Sequence, residues 1–219
     1  MSGTPCPAVD EVVRIAAGDA VIEGQLVLPA GAAGVVLFSH GSGSSRHSPR
    51  NRRVAARLHA EGIGTLLVDL LTPDEDADPA NRFDIDLLTG RLGEAARWLA
   101  ADRRCAPLPL GLFGASTGAA SALRLAASRP AAVAAVVSRG GRPDLAGDAA
   151  LRAVTAPTLL IVGGRDDAVL ELNQAAHAAL RCERRLAVVP GATHLFEEPG
   201  ALEQVATLAA GWFRTHLVR

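Results

Sequence analysis

Lysine is missing altogether: every basic side chain other than histidine in the 219 residues is arginine. That removes the lysine which a G-x-x-x-x-G-K-[ST] loop sets against phosphates, so a nucleotide cradle of that kind is not expected. With alanine heavily used alongside, the arginine preference reads as compositional bias, not as chemistry. An excess of charge of either sign is lacking too. The 22 basic and 23 acidic residues leave a net charge of −1, which offers no overall pull toward nucleic acid or anionic lipid, and neither is expected as a partner. Cysteine is scarce: Cys6, Cys105 and Cys182 are odd in number and widely spaced. Without C-x-x-C spacing or neighbouring histidines they suggest neither a disulfide framework nor a metal site, and a reducing cytoplasm is the simpler home. No apolar run approaches the length that crosses a bilayer, and residues 1–10 lack the basic start and apolar stretch of a signal peptide.

What is present is the balance of a globular protein, 49% apolar and 21% charged, in a length that suits one domain spanning residues 1–219. Short apolar runs at 35–39, 65–70, 108–113, 133–138, 158–162 and 185–189 alternate with amphipathic helical patterns. Such alternation predicts a mostly parallel sheet wrapped by helices on both faces. Residues 12–16 and 20–28 flank Ala17-Gly18-Asp19 and alternate in polarity, predicting an antiparallel hairpin at one edge and about eight strands in all. Residues 84–101 set Ile85, Leu88, Leu92, Ala95 and Leu99 on one helical face, and the final segment does likewise with Leu202, Val205, Ala209, Trp212 and Phe213; both are core contacts. The acidic stretch 72–78 reads as a solvated loop, since it lacks the glycine and closing glutamate of a calcium loop. Only residues 140–157 join the sixth and seventh strands, which leaves no room for a lid domain.

Chemistry is concentrated in three places. Gly114-Ala115-Ser116-Thr117-Gly118 follows an apolar strand and precedes an alanine-rich helix, the context of a G-x-S-x-G nucleophile elbow. Small residues two positions either side of Ser116 let strand and helix approach, and the helix start aims the Thr117 N–H at the reacting oxygen. Serine needs a base, and Pro190-Gly191-Ala192-Thr193-His194 supplies one directly after the last strand. A carboxylate must hold that imidazole in one tautomer. Asp166 and Asp167 both follow the strand before it; Asp166 occupies the G-x-D position, which leaves Asp167 to solvent or to capping. In His40-Gly41-Ser42-Gly43-Ser44-Ser45 the glycines let backbone N–H groups turn inward, with Ser42 the first choice as second oxyanion donor. Arg46, Arg50, Arg139 and Arg142 fall on loops at the carboxyl ends of strands, where ligands bind in open sheets; Arg46 and Arg139 are the candidates to hold a substrate carboxylate.

At these residues the chain resembles the dienelactone-hydrolase-like branch of the α/β-hydrolases over residues 12–217. The wording His40-Gly41-Ser42-Gly43-Ser44-Ser45-Arg46-His47-Ser48, Ser138-Arg139-Gly140-Gly141-Arg142 and Gly191-Ala192-Thr193-His194-Leu195-Phe196 is similar to a bacterial subgroup sometimes joined to phosphoribosyltransferase domains, though no such segment is recognised here. The resemblance implies an α/β-hydrolase fold, the chain order serine, aspartate, histidine, and ester or lactone hydrolysis with no metal or organic cofactor. It also implies a departure, because dienelactone hydrolases use a cysteine nucleophile where this elbow carries Ser116. The expected function is therefore hydrolysis of small soluble carboxylic esters or lactones through an acyl-serine. Acyl transfer, thioester cleavage or a non-catalytic receptor on the same scaffold are the alternatives. A small-molecule ester is the expected partner; a homodimer is admitted, and the oligomeric state is left open.

Overall fold

The computed structural model describes residues 7–218; Cys6 lies outside the described residues, while Cys105 and Cys182 are free thiols. Eight strands form one sheet: β1 (Pro7–Ala17), β2 (Ala20–Pro29), β3 (Val35–Ser39), β4 (Gly64–Val68), β5 (Leu110–Ala115), β6 (Val133–Arg139), β7 (Thr158–Gly163) and β8 (Arg184–Val189). Their spatial order is β1-β2-β4-β3-β5-β6-β7-β8. The hairpin β1–β2 turns at Gly18, whose positive φ of 67° suits a glycine, and β2 runs antiparallel to β4. From β4 to β8 every pairing is parallel. Buried residues alternate with partly exposed ones along β2, whereas β3, β4 and β7 are buried throughout, as strands covered on both faces must be.

The described residues form seven helices, α1 (Pro49–Ala60), α2 (Pro73–Asp76), α3 (Ile85–Ala101), α4 (Thr117–Ser128), α5 (Asp148–Ala153), α6 (Asp167–Ala179) and α7 (Ala201–Leu217), of which all but the exposed turn α2 bury residues. Strand alternation sends Val36 and Phe38 into one core with Val54, Leu58, Val205 and Phe213 of α1 and α7. Val35 and Leu37 point the other way, into a core with Leu88, Leu92, Leu123 and Ala176 of α3, α4 and α6. Each large apolar side chain closed off from water in this way contributes about 1.5–3 kcal/mol. Between β6 and β7 stand only a 3₁₀ turn, Pro143–Ala146, and the short α5, so no lid domain is inserted there. No described helix is long and apolar enough to cross a membrane.

The acidic stretch 72–78 is solvated as expected, with none of its residues buried, but its start is a helical turn and not a loop. Thr72 Oγ1 accepts the Glu75 N–H and the Glu75 carboxylate accepts the Thr72 N–H, a capping box that starts α2 with Pro73 in its first turn. Glu75 also holds the buried guanidinium of Arg91. The Thr-Pro-Asp-Glu wording at 72–75 was itself the signal for this turn.

One feature of the topology positions the site. From β3 the chain crosses to β4 on one side, then returns to β5 on the other side of β3. Two neighbouring strands thus send their following segments apart, opening a crevice at their carboxyl ends. Ser39 and Gly114 form the last pair between β3 and β5, so the loop from His40 and the turn at Ser116 leave the sheet side by side.

Candidate active site

Ser116 sits between β5 and α4 with φ 50° and ψ −122°. Among the described residues only it and Phe196 combine a side chain with positive φ, a strained geometry that persists where the surroundings enforce it. The surroundings here are two glycines. A Cβ on Gly114 would lie 2.4 Å from the Ala119 Cα, and one on Gly118 would lie 2.3 Å from the Ser39 carbonyl oxygen. Only hydrogen at those positions lets β5, α4 and β3 meet this closely. The Ser116 N–H donates to the Arg139 carbonyl at 3.2 Å, which fixes the elbow to the end of β6.

His194 follows β8 on the loop that leads to α7. Its Nδ1–H donates to Asp166 Oδ2 at 2.6 Å, as short as bonds to an ionised acceptor become. Asp166 is the N-cap of α6, and its N–H donates to the Gly163 carbonyl at the end of β7. Asp167 is the first residue of α6, exposed in its first turn, and among the described residues it makes no hydrogen bond or ion pair with the imidazole. Gly140, at φ 50°, lies against the imidazole, where a Cβ would stand 3.5 Å from both Cε1 and Nδ1. The Ser116 hydroxyl makes no hydrogen bond among the described residues, a looseness common before substrate tightens such a site.

The loop after β3 closes the other side. Gly41 runs so near the elbow that a Cβ there would meet Ser116 Cβ at 2.9 Å. Ser42 follows in an exposed position, and no protein acceptor takes its N–H or that of Thr117 among the described residues. His40 anchors this loop: its Nε2 accepts the Leu70 N–H at 3.1 Å, which puts the ring proton on Nδ1, facing the Gly41 carbonyl at 2.9 Å. Burial pulls its pKa below the ordinary 6.5, and burial does the same to His59. The unfolded chain therefore takes up protons below about pH 6.5 that the fold refuses, so stability is complete above that pH and declines as pH falls through it. Melting curves should show a lower Tm at about pH 5 than at about pH 7.5, with a shallower slope in His40→Asn; an unchanged slope would contradict the neutral His40 assignment.

The four arginines of this rim divide into two kinds. The Arg46 backbone N–H donates to Asp69 at 2.6 Å, and its guanidinium bonds Asp69 and, at 2.7 Å, Glu23. Expected as a holder of substrate carboxylate, Arg46 instead uses its donors to fasten the loop to β2 and to the turn just after β4. Arg142 is likewise taken by Asp144 through two bonds of 2.8 and 2.7 Å. Arg139 is different: only 7% exposed, it makes no ion pair among the described residues and lies 5.9 Å from the centre of the Phe196 ring. Arg50 reaches the same turn, within 3.7 Å of the carboxylate of Glu197, the residue that follows Phe196.

A dienelactone hydrolase of Anabaena variabilis is 52% identical in sequence, superposes with a TM-score of 0.92, and is matched over 96% of this chain and 99% of its own. The chain belongs to the dienelactone hydrolase family. The esterase domain of a Rhodothermus marinus protein shares the fold at a TM-score of 0.77 and 19% identity, over 95% of this chain and 99% of that one. A protein of Mycobacterium tuberculosis called a putative phosphoribosyl transferase is 59% identical over 211 residues, 96% of this chain but 47% of that protein. The chain thus spans about half the length of these curated relatives. No family model matches it.

Three positions in this dienelactone hydrolase family member were given no role by the sequence, although His40 and Phe196 stand inside the runs that carry the resemblance. His40 holds the loop after β3, as described. Glu198 accepts the Thr193 N–H at 3.1 Å and so braces the turn that presents His194. Phe196, at φ 56°, covers Arg139 from that same turn. Each works through a partner distant in sequence or through a backbone angle, which residue type alone does not announce.

Proposed function

We propose that this chain is a serine hydrolase that cleaves small soluble carboxylic esters or lactones through an acyl-Ser116 intermediate, using no metal or organic cofactor. The observation that carries the reading is the 2.6 Å Asp166–His194 bond at a site whose serine is held at positive φ on the helix-facing turn of β5. The name of the Anabaena protein supports lactone or ester chemistry for its relatives. With no inserted lid between β6 and β7, the site suits small substrates that arrive from water.

In this mechanism Ser116 Oγ attacks the carbonyl carbon while His194 Nε2 takes its proton, and Asp166 stabilises the imidazolium through Nδ1–H. The N–H groups of Ser42 and Thr117 receive the oxyanion; a single donor of this kind is worth about 10²–10³ in kcat. Collapse breaks the bond to the alcohol, which leaves with the proton from His194. Water, deprotonated by the same imidazole, then attacks the acyl carbon and frees the acid and Ser116.

Mixing the enzyme with p-nitrophenyl acetate should give a burst of one equivalent of p-nitrophenol followed by steady turnover, and a fluorophosphonate should label Ser116. Labelling reports only an activated serine, so turnover decides. A folded protein that labels yet turns over no ester or thioester across a range of acyl lengths and charges would be a receptor. Product partitioning mainly to an added alcohol would make it an acyltransferase.

A further inference from the structure

We infer that Arg139 and Arg50 form a subsite, beside the Ser116 centre, for a doubly charged phosphate or phosphonate group carried by the substrate. The inference rests on the ester-hydrolase reading and adds to it a substrate class.

Arg139 closes β6, and its carbonyl accepts the Ser116 N–H, so its side chain departs from a residue bonded to the nucleophile. The guanidinium lies beneath Phe196, two residues past His194. Polar side chains this deeply enclosed are normally paired. Arg139 is not: its Nε is buried without an acceptor, and its outer nitrogens, which are not closed off from solvent, bond to no protein group among the described residues. Arg50, at the start of α1, has the same defect at Nε. The other two arginines of the rim show that the fold can supply carboxylates when an arginine is structural, since Arg46 has two and Arg142 has one.

The charge of the pair selects the ligand. Two guanidinium groups repel each other, and desolvation with Arg50 alongside brings Arg139 down to about 10, still protonated at neutral pH. Glu197, the one carboxylate within ion-pair range of Arg50, is 3.7 Å away and 67% exposed, where water screens it. A carboxylate would balance one of the two charges. A phosphate dianion balances both and has enough oxygens to accept bidentate bonds from each planar fork. Strain at Phe196 fits the same picture, because that residue holds its ring over Arg139 at a backbone angle that side chains rarely adopt.

Three p-nitrophenyl esters test the subsite, with acyl groups ending in a methyl, a carboxylate or a phosphonate. Wild-type kcat/KM should rank phosphonate above carboxylate above methyl. In Arg139→Gln the phosphonate-to-methyl ratio should fall by at least about thirtyfold, the loss expected when one partner of a buried charge pair is truncated. Arg50→Gln, at a more exposed site, should lower the same ratio by less and guards against a misfolded first variant. Inorganic phosphate should raise the Tm of the wild type and not of Arg139→Gln. Equal losses on all three esters, a carboxylate preferred to a phosphonate, or a phosphate shift that survives both substitutions would overturn the inference while leaving ester hydrolysis intact. Failure to turn over any ester would strike the hydrolase reading instead, and the phosphate shift would still decide the subsite.

Discussion

Replacing Ser116 by alanine is expected to reduce kcat on an activated short-chain ester by about 10⁶-fold, the scale seen when an acyl-enzyme nucleophile of a serine protease is removed. The loss should fall on kcat, with KM little changed, because the hydroxyl acts on the carbonyl and not on the distant parts of the substrate. The fold should survive. The Ser116 hydroxyl makes no hydrogen bond among the described residues, so its removal leaves no partner unsatisfied, and the Cβ that meets the Gly41 loop is kept. Alanine and serine pay alike for φ 50°, which makes the strain neutral between variant and parent. Tm should therefore stay within the small range of a substitution that breaks no contact. A residual rate above that in water would come from the Ser42 and Thr117 donors and from substrate binding. Retention of more than about a hundredth of the parental rate, far above the residue left by a lost nucleophile, would mean that another group attacks.

Much of this site was legible because elbow chemistry is local. The glycines around Ser116, the His194 loop and the Gly164-Arg165-Asp166 run each carry their meaning within five residues, and the parallel order of strands follows from runs separated by helices. Strand ends were less legible, for reasons the hydrogen bonds make plain. The run 65–70 was expected to continue as strand, yet β4 stops at Val68, because Asp69 turns to hold Arg46 and the Leu70 N–H goes to His40. The run 108–113 starts as strand only after Pro109, which lacks an N–H to pair, and continues to Ala115, where pairing with Arg139 leads into the elbow. The arginines were legible as a group and not one by one. Arg46 and Arg139 look alike in sequence, each in a loop or strand end rich in small residues, and what separates them is whether a carboxylate from another strand reaches them.

Asp166→Asn should lower kcat by about 10⁴, as the equivalent change does in serine proteases where it leaves geometry intact but spoils the tautomer. An asparagine can turn its amide NH₂ toward Nδ1, which then has to accept, so the ring proton moves to Nε2 and the base can no longer take a proton from Ser116. Even with its oxygen in place, the neutral side chain gives up the charge that offsets an imidazolium. No neighbour replaces it: Gly140, which covers the ring, has no side chain, and Asp167 points to solvent from the first turn of α6. The matched substitution Asp167→Asn removes the same charge one residue away, and it should change kcat by less than about twofold, since screening leaves an exposed carboxylate little influence at that distance. Measured side by side on one ester, the two variants separate the hydrogen bond from the general field. A larger loss in Asp167→Asn than in Asp166→Asn would transfer the role of the acid and, with it, require the loop after β7 to rearrange when substrate binds.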